Sequence, residues 1–264
     1  MAKTNIIPSA PFAISLGGYP GNFIFIEDGK LSFANPEATR IVVSSAFTDS
    51  ELKESFPTLP RENITVEYEE VLAARGVSQP LTERFILLNL QNKYYTAAMI
   101  TQDARNNYSW QDSQFFLDGS LADIVRGRHN IDMSDDDLAA LARQLEDFRK
   151  GTVTDRVVVL SGKDLHLQCD VEVMESLEVV SARCAAKVQE VAEQIMGFVK
   201  QCKESHPETL YITGKSQLYP DLQNALEKEL QGMLPVIVFE HSEDAVQRGM
   251  AITLERDRLL SLMQ

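Results

Sequence analysis

The chain contains 264 residues, and its 39 acidic side chains outnumber 25 basic ones, which gives a formal net charge of −14. This charge argues against a nucleic-acid partner, because affinity for the phosphate backbone comes largely from Lys and Arg side chains that displace counterions. Hydrophobic residues make up 44% of the chain and charged residues 24%, as in globular rather than disordered proteins. The length allows one large domain or two lobes.

The apolar runs, the cysteines and the N-terminal residues bear on location. No apolar run approaches the roughly 18 residues of a membrane-spanning helix, so we expect no membrane partner. Cys169, Cys184 and Cys202 are odd in number and too far apart for a disulfide framework or a zinc site. Residues 1–8 contain one cation and no extended apolar segment, so we expect no secretory signal. Together these features predict a cytoplasmic protein.

The N-terminal third is predicted to form short strands in two similar groups. In the first group a glycine-rich turn at 17–21 and the hairpin signal Asp28-Gly29 separate antiparallel strands. The stretch 48–62 is predicted as a surface connection, and 63–75 begins with strand-like alternation and ends helix-like. The second group repeats the strand, turn and strand pattern, so we expect two similar halves. The predicted strands cover residues 12–16, 23–26, 30–33, 41–43, 85–90 and 94–100.

The remaining chain is predicted to contain one more hairpin and four helices. A helix beginning near Ser134 ends before Gly151, and a hairpin with its turn at 161–163 follows. The helix 171–203 carries apolar residues at spacings of three and four, which predicts one buried face. The last 60 or so residues alternate strand and helix, as in an α/β lobe. The predicted elements there are strands 208–213 and 235–239, helix 221–230, and a helix capped by Ser242 and continuing through Ala251.

Two glycine-containing turns could contact phosphate. Gly214-Lys215-Ser216 resembles the end of a phosphate loop, but the glycine required five residues earlier is Thr209. It is therefore not a Walker A loop, and a turn from a strand to a helix is the favoured explanation, although the nearby helix N-terminus could hold an anion. Gly17 and Gly18 would let backbone approach a phosphate closely, and an ordinary hairpin turn is the alternative.

Other chemistry-bearing residues form no recognisable site. The run Asp135-Asp136-Asp137 is explained by the dipole of a helix N-terminus, because consecutive helical side chains point in different directions. The four histidines are scattered, so nothing supports hydrolase or metal chemistry. Tyr94, Tyr95 and Trp110 could stack a ligand ring, but aromatic residues in such strands usually lie in the core.

Four segments in the N-terminal part follow, in order, the motifs of one protein family. They are FAISLGG at 12–18, FIEDGK at 25–30, ANPEATR at 34–40 and VSSAFT at 43–48. Together they resemble the first phosphate loop and the "ENGK…NPEGNR…PSVVAFT" phrase of the nucleotide-binding domain of Hsp70 (DnaK) chaperones.

The resemblance continues to the C-terminal part of the chain. NLQNKY at 89–94 falls at the family's second phosphate loop, and YITGKSQLYP at 211–220 falls at its adenosine loop, "VLVGGSTRIP". EDAV at 243–246 and GMA at 249–251 match "DEAVAxGAA". The resemblance therefore implies an α/β protein with the two-lobed actin-like ATPase (ribonuclease H-like) fold of the actin, Hsp70 and sugar-kinase superfamily.

The differences from the family fall on the residues that would organise metal and phosphate. The family has a carboxylate in each phosphate loop, and here those positions are Ser15 and Asn89, neither of which carries the charge that holds hydrated Mg²⁺. The second loop's glycines are replaced by residues 91–93, and the arginine that stacks on adenine is Leu218. The residues that keep nucleotide-contact character are Gly17, Gly18, Gly214 and Ser216, with Lys215 beside them.

The chain is also shorter than the family pattern. We expect an N-terminal lobe at 1–84 and a C-terminal lobe at 85–264, with a small inserted subdomain at about 110–160 and no peptide-binding domain. These features predict an Hsp70-like pseudo-ATPase that needs no cofactor and acts as a protein-interaction scaffold or chaperone-related regulator. The alternative is a minimal protein that binds or hydrolyses ATP with Mg²⁺, using Lys93 or Lys215 to neutralise phosphate. A third is a subunit that forms a homo-oligomer.

Overall fold

The structure, a computed structural model, describes residues 12–15, 22–27, 30–32, 41–44, 60–90, 95–116, 156–164, 166–216, 219 and 221–262, and isolated positions at 50, 53, 57 and between 137 and 147. Contacts between residues divide the chain into two compact units. The first unit contains 1–81, 102–110 and 241–264, and the second contains 82–101 and 111–240. The predicted lobe boundary at 84/85 stays a prediction; the contact units differ from it in placing 241–264 in the first unit.

The described elements are twelve strands and four α-helices. The strands are β1 (Phe12–Ser15), β2 (Asn22–Glu27), β3 (Lys30–Ser32), β4 (Ile41–Ser44), β5 (Ile64–Glu67), β6 (Arg84–Leu90), β7 (Tyr95–Gln102), β8 (Tyr108–Phe116), β9 (Val157–Asp164), β10 (Cys169–Ser176), β11 (Thr209–Gly214) and β12 (Val236–Val238). The helices are α1 (Glu69–Gly76), α2 (Leu177–Gln201), α3 (Leu222–Leu230) and α4 (Ala245–Leu262). Described positions between 137 and 147 are also helical.

The two large sheets have the same topology. The first sheet has the order β3-β2-β1-β4-β5. The second, read from its β8 edge, has the order β8-β7-β6-β11-β12. When strands are counted along the chain within each sheet, both orders are 3-2-1-4-5. In the first sheet β1, β2 and β3 are antiparallel, while β4 lies parallel to both β1 and β5. In the second, β6 is antiparallel to β7 and parallel to β11, which is parallel to β12. The expectation of two similar halves is confirmed.

The predicted buried face of the long helix forms the centre of the second unit's core. Every residue of the stripe is less than 5% exposed, and the stripe packs with alternate residues of β6, β7 and β11 and with α3. Strands β6 and β11 are buried on both faces except at Arg84, as is usual for strands in parallel pairs covered on two sides. The buried stripe of α2 and the residue that follows the helix consists of Leu177, Val180, Cys184, Val188, Val191, Ile195, Phe198 and Cys202.

The hairpin before this helix differs from the sequence prediction in its register. Asp164 pairs with Cys169, so the turn includes 166–168, and the predicted turn at 161–163 is wrong because those residues belong to β9. The Asp164 carboxylate explains the difference, since it accepts hydrogen bonds from the backbone N–H groups of His166 (2.8 Å) and Leu167 (3.1 Å). Helix α2 consequently begins at Leu177 and not at residue 171.

Two further elements differ from the predictions. Strand β8 falls in a stretch for which the sequence predicts no strand, and α4 continues to Leu262 beyond the predicted end near Ala251. Within the described residues, no helix is both long and apolar enough to cross a bilayer. The apolar residues of the predicted helix 134–150 at spacings of three and four, Leu138, Leu141, Leu145 and Phe148, predict a buried face; Leu141 is buried, and the other three lie outside the described residues.

Candidate functional site

The carboxyl ends of β6 and β11 lie side by side in the second unit. The two strands are parallel, with Asn89 opposite Thr213 and Leu90 opposite Gly214. The chain leaves β11 against β6, because the backbone N–H of Lys215 donates to the carbonyl of Leu90 at 2.7 Å. Ligands of open α/β sheets bind at the carboxyl ends of the strands, so this edge is the candidate site.

Gly214 shapes the turn at this edge. Its φ of +82° is rarely adopted by residues with a side chain, and a Cβ atom there would lie 2.1 Å from the Leu90 carbonyl oxygen and 3.0 Å from the Asn89 Oδ1. A glycine is therefore required for β11 to end against β6. The sequence resemblance assigns this glycine to the adenosine loop, and its local geometry fits a turn that brings backbone close to another group.

Three polar side chains are buried beside this turn. Asn89 is 0% exposed, and the Thr213 hydroxyl lies 3.4 Å from both the Asn89 Oδ1 and the Leu88 carbonyl oxygen. Thr96 lies opposite Asn89 on β7, and its buried hydroxyl has no hydrogen-bond partner within the part of the chain that the structure describes. Buried hydroxyl and amide groups need hydrogen-bond partners. A polar group is therefore accommodated more readily beside these three side chains than elsewhere in this apolar sheet.

The other predicted contact residues of this turn lie next to Gly214. Lys215 and Ser216 are partly exposed, and the Ser216 carbonyl accepts a hydrogen bond from the Tyr219 N–H at 2.9 Å. Helix α3 begins a few residues later, after Asp221. The structure therefore brings Gly214, Lys215 and Ser216 together with Asn89. Gly17, Gly18, Lys93, Tyr94 and Leu218 lie outside the described residues.

Of the candidate aromatic residues, Tyr95 lies in the core and Trp110 contacts another aromatic ring, while Tyr94 lies outside the described residues. Tyr95 is 1% exposed, donates a hydrogen bond to Gln194 Oε1 and meets Tyr219 edge to face with 6.2 Å between ring centroids. Trp110 stacks on Tyr68 in the first unit, with centroids 4.5 Å apart and an interplanar angle of 5°. The core alternative is therefore the correct one for Tyr95.

The buried polar side chains at this strand edge are uncharged. An asparagine amide has no negative charge to hold hydrated Mg²⁺, and its NH₂ group donates hydrogen bonds where a carboxylate only accepts them. Among the residues whose placement is described, no group of three or more His, Cys, Asp or Glu side chains could hold a metal ion. The described residues of this edge can contact a phosphate or sugar, but they supply no carboxylate for metal-dependent phosphoryl transfer.

Comparison of this fold with solved structures identifies its relatives. No family model and no curated protein matches the sequence. The crystal structures of MreB5 of Spiroplasma citri bound to AMPPNP and bound to ADP match with TM-scores of 0.54 and 0.55, at 14% and 15% identity. Each match covers 83% of this chain and 69% of the other. The chain has the actin-like ATPase fold.

Proposed function

We propose that this protein is an actin-fold pseudo-ATPase that acts through protein contacts, as a scaffold or chaperone-related regulator similar to a shortened Hsp70. The observation that carries the proposal is Asn89, a neutral and fully buried residue at the end of β6. In the resemblance to Hsp70 this position belongs to a carboxylate of the second phosphate loop. Ser15, at the end of β1, is the corresponding replacement in the first loop.

Burial makes the replacement at Asn89 effective. If this asparagine were exposed to water, a nearby acidic residue could supply the missing carboxylate. Asn89 is instead enclosed by Thr213 and the backbone of Gly214. The hydrated metal that bridges the β- and γ-phosphates needs anionic ligands or second-sphere carboxylates, and the amide offers neither. We therefore expect ATP hydrolysis to be absent even if nucleotide binds.

Nucleotide binding without hydrolysis is compatible with the proposal. The two MreB5 structures were determined with AMPPNP and with ADP, which supports a nucleotide as a ligand for this fold. The Gly214 turn and the partly exposed Lys215 are the residues of this chain that would contact one. The alternative function, a minimal ATPase, would use Lys93 or Lys215 to neutralise phosphate charge.

An ATPase assay and calorimetry separate these two functions. We expect phosphate release from wild type with Mg-ATP to equal that of a blank, and any nucleotide affinity to weaken in Lys215→Gln. The Asn89→Asp variant restores a carboxylate at the end of β6, and Asn224→Asp, on an exposed position of α3, is the control for the added charge. Wild-type turnover that disappears in Lys215→Gln would overturn the pseudo-ATPase proposal. Absence of binding at millimolar nucleotide would exclude the minimal ATPase.

A second candidate function, self-association, is favoured by an exposed apolar patch on the β9–β10 hairpin. Val157 is 50% exposed and Met174 is 69% exposed, and Val159, the partner of Met174 across the hairpin, lies between them on the same face. Contiguous apolar surface of this kind marks protein contacts more often than chance exposure. We call Val157, Val159 and Met174 the hairpin patch.

Sedimentation velocity tests whether the hairpin patch joins copies of this chain. We expect a concentration-dependent sedimentation coefficient in wild type that becomes constant in Met174→Lys. Met233→Lys is the control, because Met233 is also more than half exposed but lies outside the patch. A wild-type monomer at all concentrations would contradict self-association and leave a different protein as the partner of the proposed scaffold.

A further inference from the structure

A cavity of about 710 Å³ lies within the first unit, and its lining residues do not include those of the strand edge at Asn89 and Gly214. Three segments form it: the end of α1 with the chain that follows it, the connection between β7 and β8, and the middle of α4. We call it the arginine cavity. Its polar lining residues include Arg75, Arg105, Arg256, Gln79, Gln102 and Asn107.

The charge of the arginine cavity is opposite to that of the whole protein. Three arginines line it, and none of its described lining residues has a carboxylate, although the chain carries 39 acids against 25 bases. Two acids lie near the lining, and one of them, Glu67, pairs with Arg75 and so offsets one of the three positive charges. Glu67 accepts a hydrogen bond from Arg75 at 3.0 Å from outside the lining, and Asp103 accepts hydrogen bonds from the backbone N–H groups of Arg105 and Asn107 within the turn.

Arg75 is fixed at the base of this cavity before any ligand arrives. Its side chain is 7% exposed, and Nη1 donates to Glu67 and to the Thr253 hydroxyl, the latter at 2.9 Å. The guanidinium carbon lies 6.0 Å from the centroid of the Tyr108 ring. Burial lowers the pKa of Arg75, and the positive charge of Arg256 lowers the same pKa further. Both guanidinium groups line the same cavity, so an anion bound there would be attracted by two positive charges.

Arg105 and Arg256 differ from Arg75 in being exposed at the rim of the cavity. Their exposed side chains are accessible to a ligand, while Arg75 is held in place by its hydrogen bonds to Glu67 and Thr253. One guanidinium group can bind two oxygens of a phosphate through two parallel hydrogen bonds. Three guanidinium groups therefore suit a ligand with several charged oxygens. The volume lies in the range of cavities that hold small organic molecules. The Gln102 Oε1, which is buried without a hydrogen-bond partner among the described residues, and the Gln79 amide supply polar groups for the uncharged part of such a ligand.

We propose that the arginine cavity binds a small organic molecule that bears two or more phosphate groups. Phosphate is favoured over carboxylate because it brings more negative charge and more acceptor oxygens into the same volume. The site is distinct from the strand edge at Asn89 and Gly214, and its ligand needs no Mg²⁺ because arginines neutralise the charge. This proposal does not rest on the proposed function.

Calorimetric titration with sodium pyrophosphate in EDTA at fixed ionic strength tests the proposal, with citrate as the carboxylate probe. We expect pyrophosphate to bind wild type with micromolar affinity and at least tenfold more tightly than citrate. Affinity should fall at least tenfold in Arg105→Gln and in Arg256→Gln. Arg248→Gln is the matched control, since it removes the same charge from α4 but Arg248 pairs with Asp244 and does not line the cavity.

The outcomes that would overturn the proposal are specific. Absence of heat with millimolar pyrophosphate, equal affinity in the Arg105→Gln, Arg256→Gln and wild-type proteins, or tighter binding of citrate would each contradict it. Loss of affinity in Lys215→Gln with no loss in the arginine variants would place pyrophosphate at the strand edge and also contradict it. Both arginines are exposed, so the far-ultraviolet circular dichroism of the variants should equal that of wild type.

Discussion

At Gly214 a single residue decides how β11 ends. The backbone is left-handed there, with φ +82°, and the space that a side chain would need is taken by the Leu90 carbonyl. Gly232 has a similar φ of +77°, but nothing lies within 4 Å of its would-be Cβ. Comparison of these two glycines separates the cost of a left-handed backbone from the cost of steric overlap. A side chain at Gly232 would incur only the first cost, whereas one at Gly214 would incur both.

Substitution at these two glycines should therefore give different losses of stability. We expect Gly232→Ala to lower the free energy of unfolding by about 1 kcal/mol, the cost of a left-handed alanine. Gly214→Ala should lower it by roughly 2–4 kcal/mol, because β11 must also move away from β6. Urea denaturation of both variants and wild type measures the difference. Equal losses would show that the turn at Gly214 adjusts to a side chain without moving the strand.

At the same scale, the sequence predicts single residues well only when their partners are close in the chain. Gly214 could be recognised because its strand, turn and helix are consecutive, and Asn89 because it replaces one residue of a recognisable loop. Arg75, Arg105 and Arg256 could not, because 30 and 151 residues separate them and only tertiary packing brings them to one cavity. No local pattern distinguishes these arginines from the exposed Arg183.

Among the elements, helices α1 and α4 approach each other closely at two glycines. A Cβ on Gly249 of α4 would lie 1.7 Å from the Leu72 carbonyl oxygen, and one on Gly76 would lie 1.8 Å from that of Ala245. Leu72 and Met250 at this contact are 0% exposed. The missing side chains let the two backbones touch, so the packing of this helix pair depends on glycine and not on larger apolar residues.

The close contact makes a clear prediction for the helix pair. Gly249→Ala should lower the free energy of unfolding by roughly 2–4 kcal/mol, because backbone atoms on α1 cannot rotate away as a side chain can. Gly197→Ala is the control within helix α2, where nothing lies within 4 Å of the added methyl. It should raise stability by about 0.5–1 kcal/mol through the higher helix propensity of alanine. Thermal and urea unfolding of both variants measure these shifts, and a loss of stability in both would refute the packing argument.

The elements also show where sequence patterns are insufficient. The stripe from Leu177 to Cys202 predicts α2 because helical periodicity persists over seven turns. The preceding hairpin was predicted in the wrong register, because Ser161-Gly162-Lys163 is a common turn composition whereas the actual turn depends on the Asp164 carboxylate. Gly162 has a different role: the Asp137 carboxylate lies against it, at 2.6 Å from a would-be Cβ, which a larger residue would displace.

For the whole molecule, the repeated 3-2-1-4-5 topology explains why a weakly similar sequence still predicts the fold. The order of hairpins, parallel strands and helices persists along the chain although the loop residues differ from the Hsp70 motifs. Solved structures with only 14–15% identity align over 83% of the chain for the same reason. Function is less predictable, because it depends on a few side chains such as Asn89 that the topology does not fix.

Net charge is the other property of the whole molecule that can be tested. With 39 acids and 25 bases, the folded chain repels itself, and added salt screens this repulsion. Salt also weakens attractive pairs, but the described pairs Arg84–Glu208, Lys187–Glu190 and Arg248–Asp244 are partly exposed, and such pairs contribute about 0–1 kcal/mol each. The described pair Arg75–Glu67 is mostly buried, and salt screens buried pairs much less. Relief of the net repulsion should therefore exceed the loss of attraction.

We accordingly expect the melting temperature to rise when NaCl is raised from low to near-physiological concentration. A relief of about 1 kcal/mol corresponds to roughly 2–4 °C for a chain of this size. Differential scanning calorimetry at several NaCl concentrations measures the shift, and KCl at equal ionic strength controls for specific ion effects. The Arg248→Gln variant makes the net charge more negative and should show a larger rise with salt. A melting temperature that falls with salt would mean that attractive pairs, rather than the excess of acids, dominate the electrostatics of the fold.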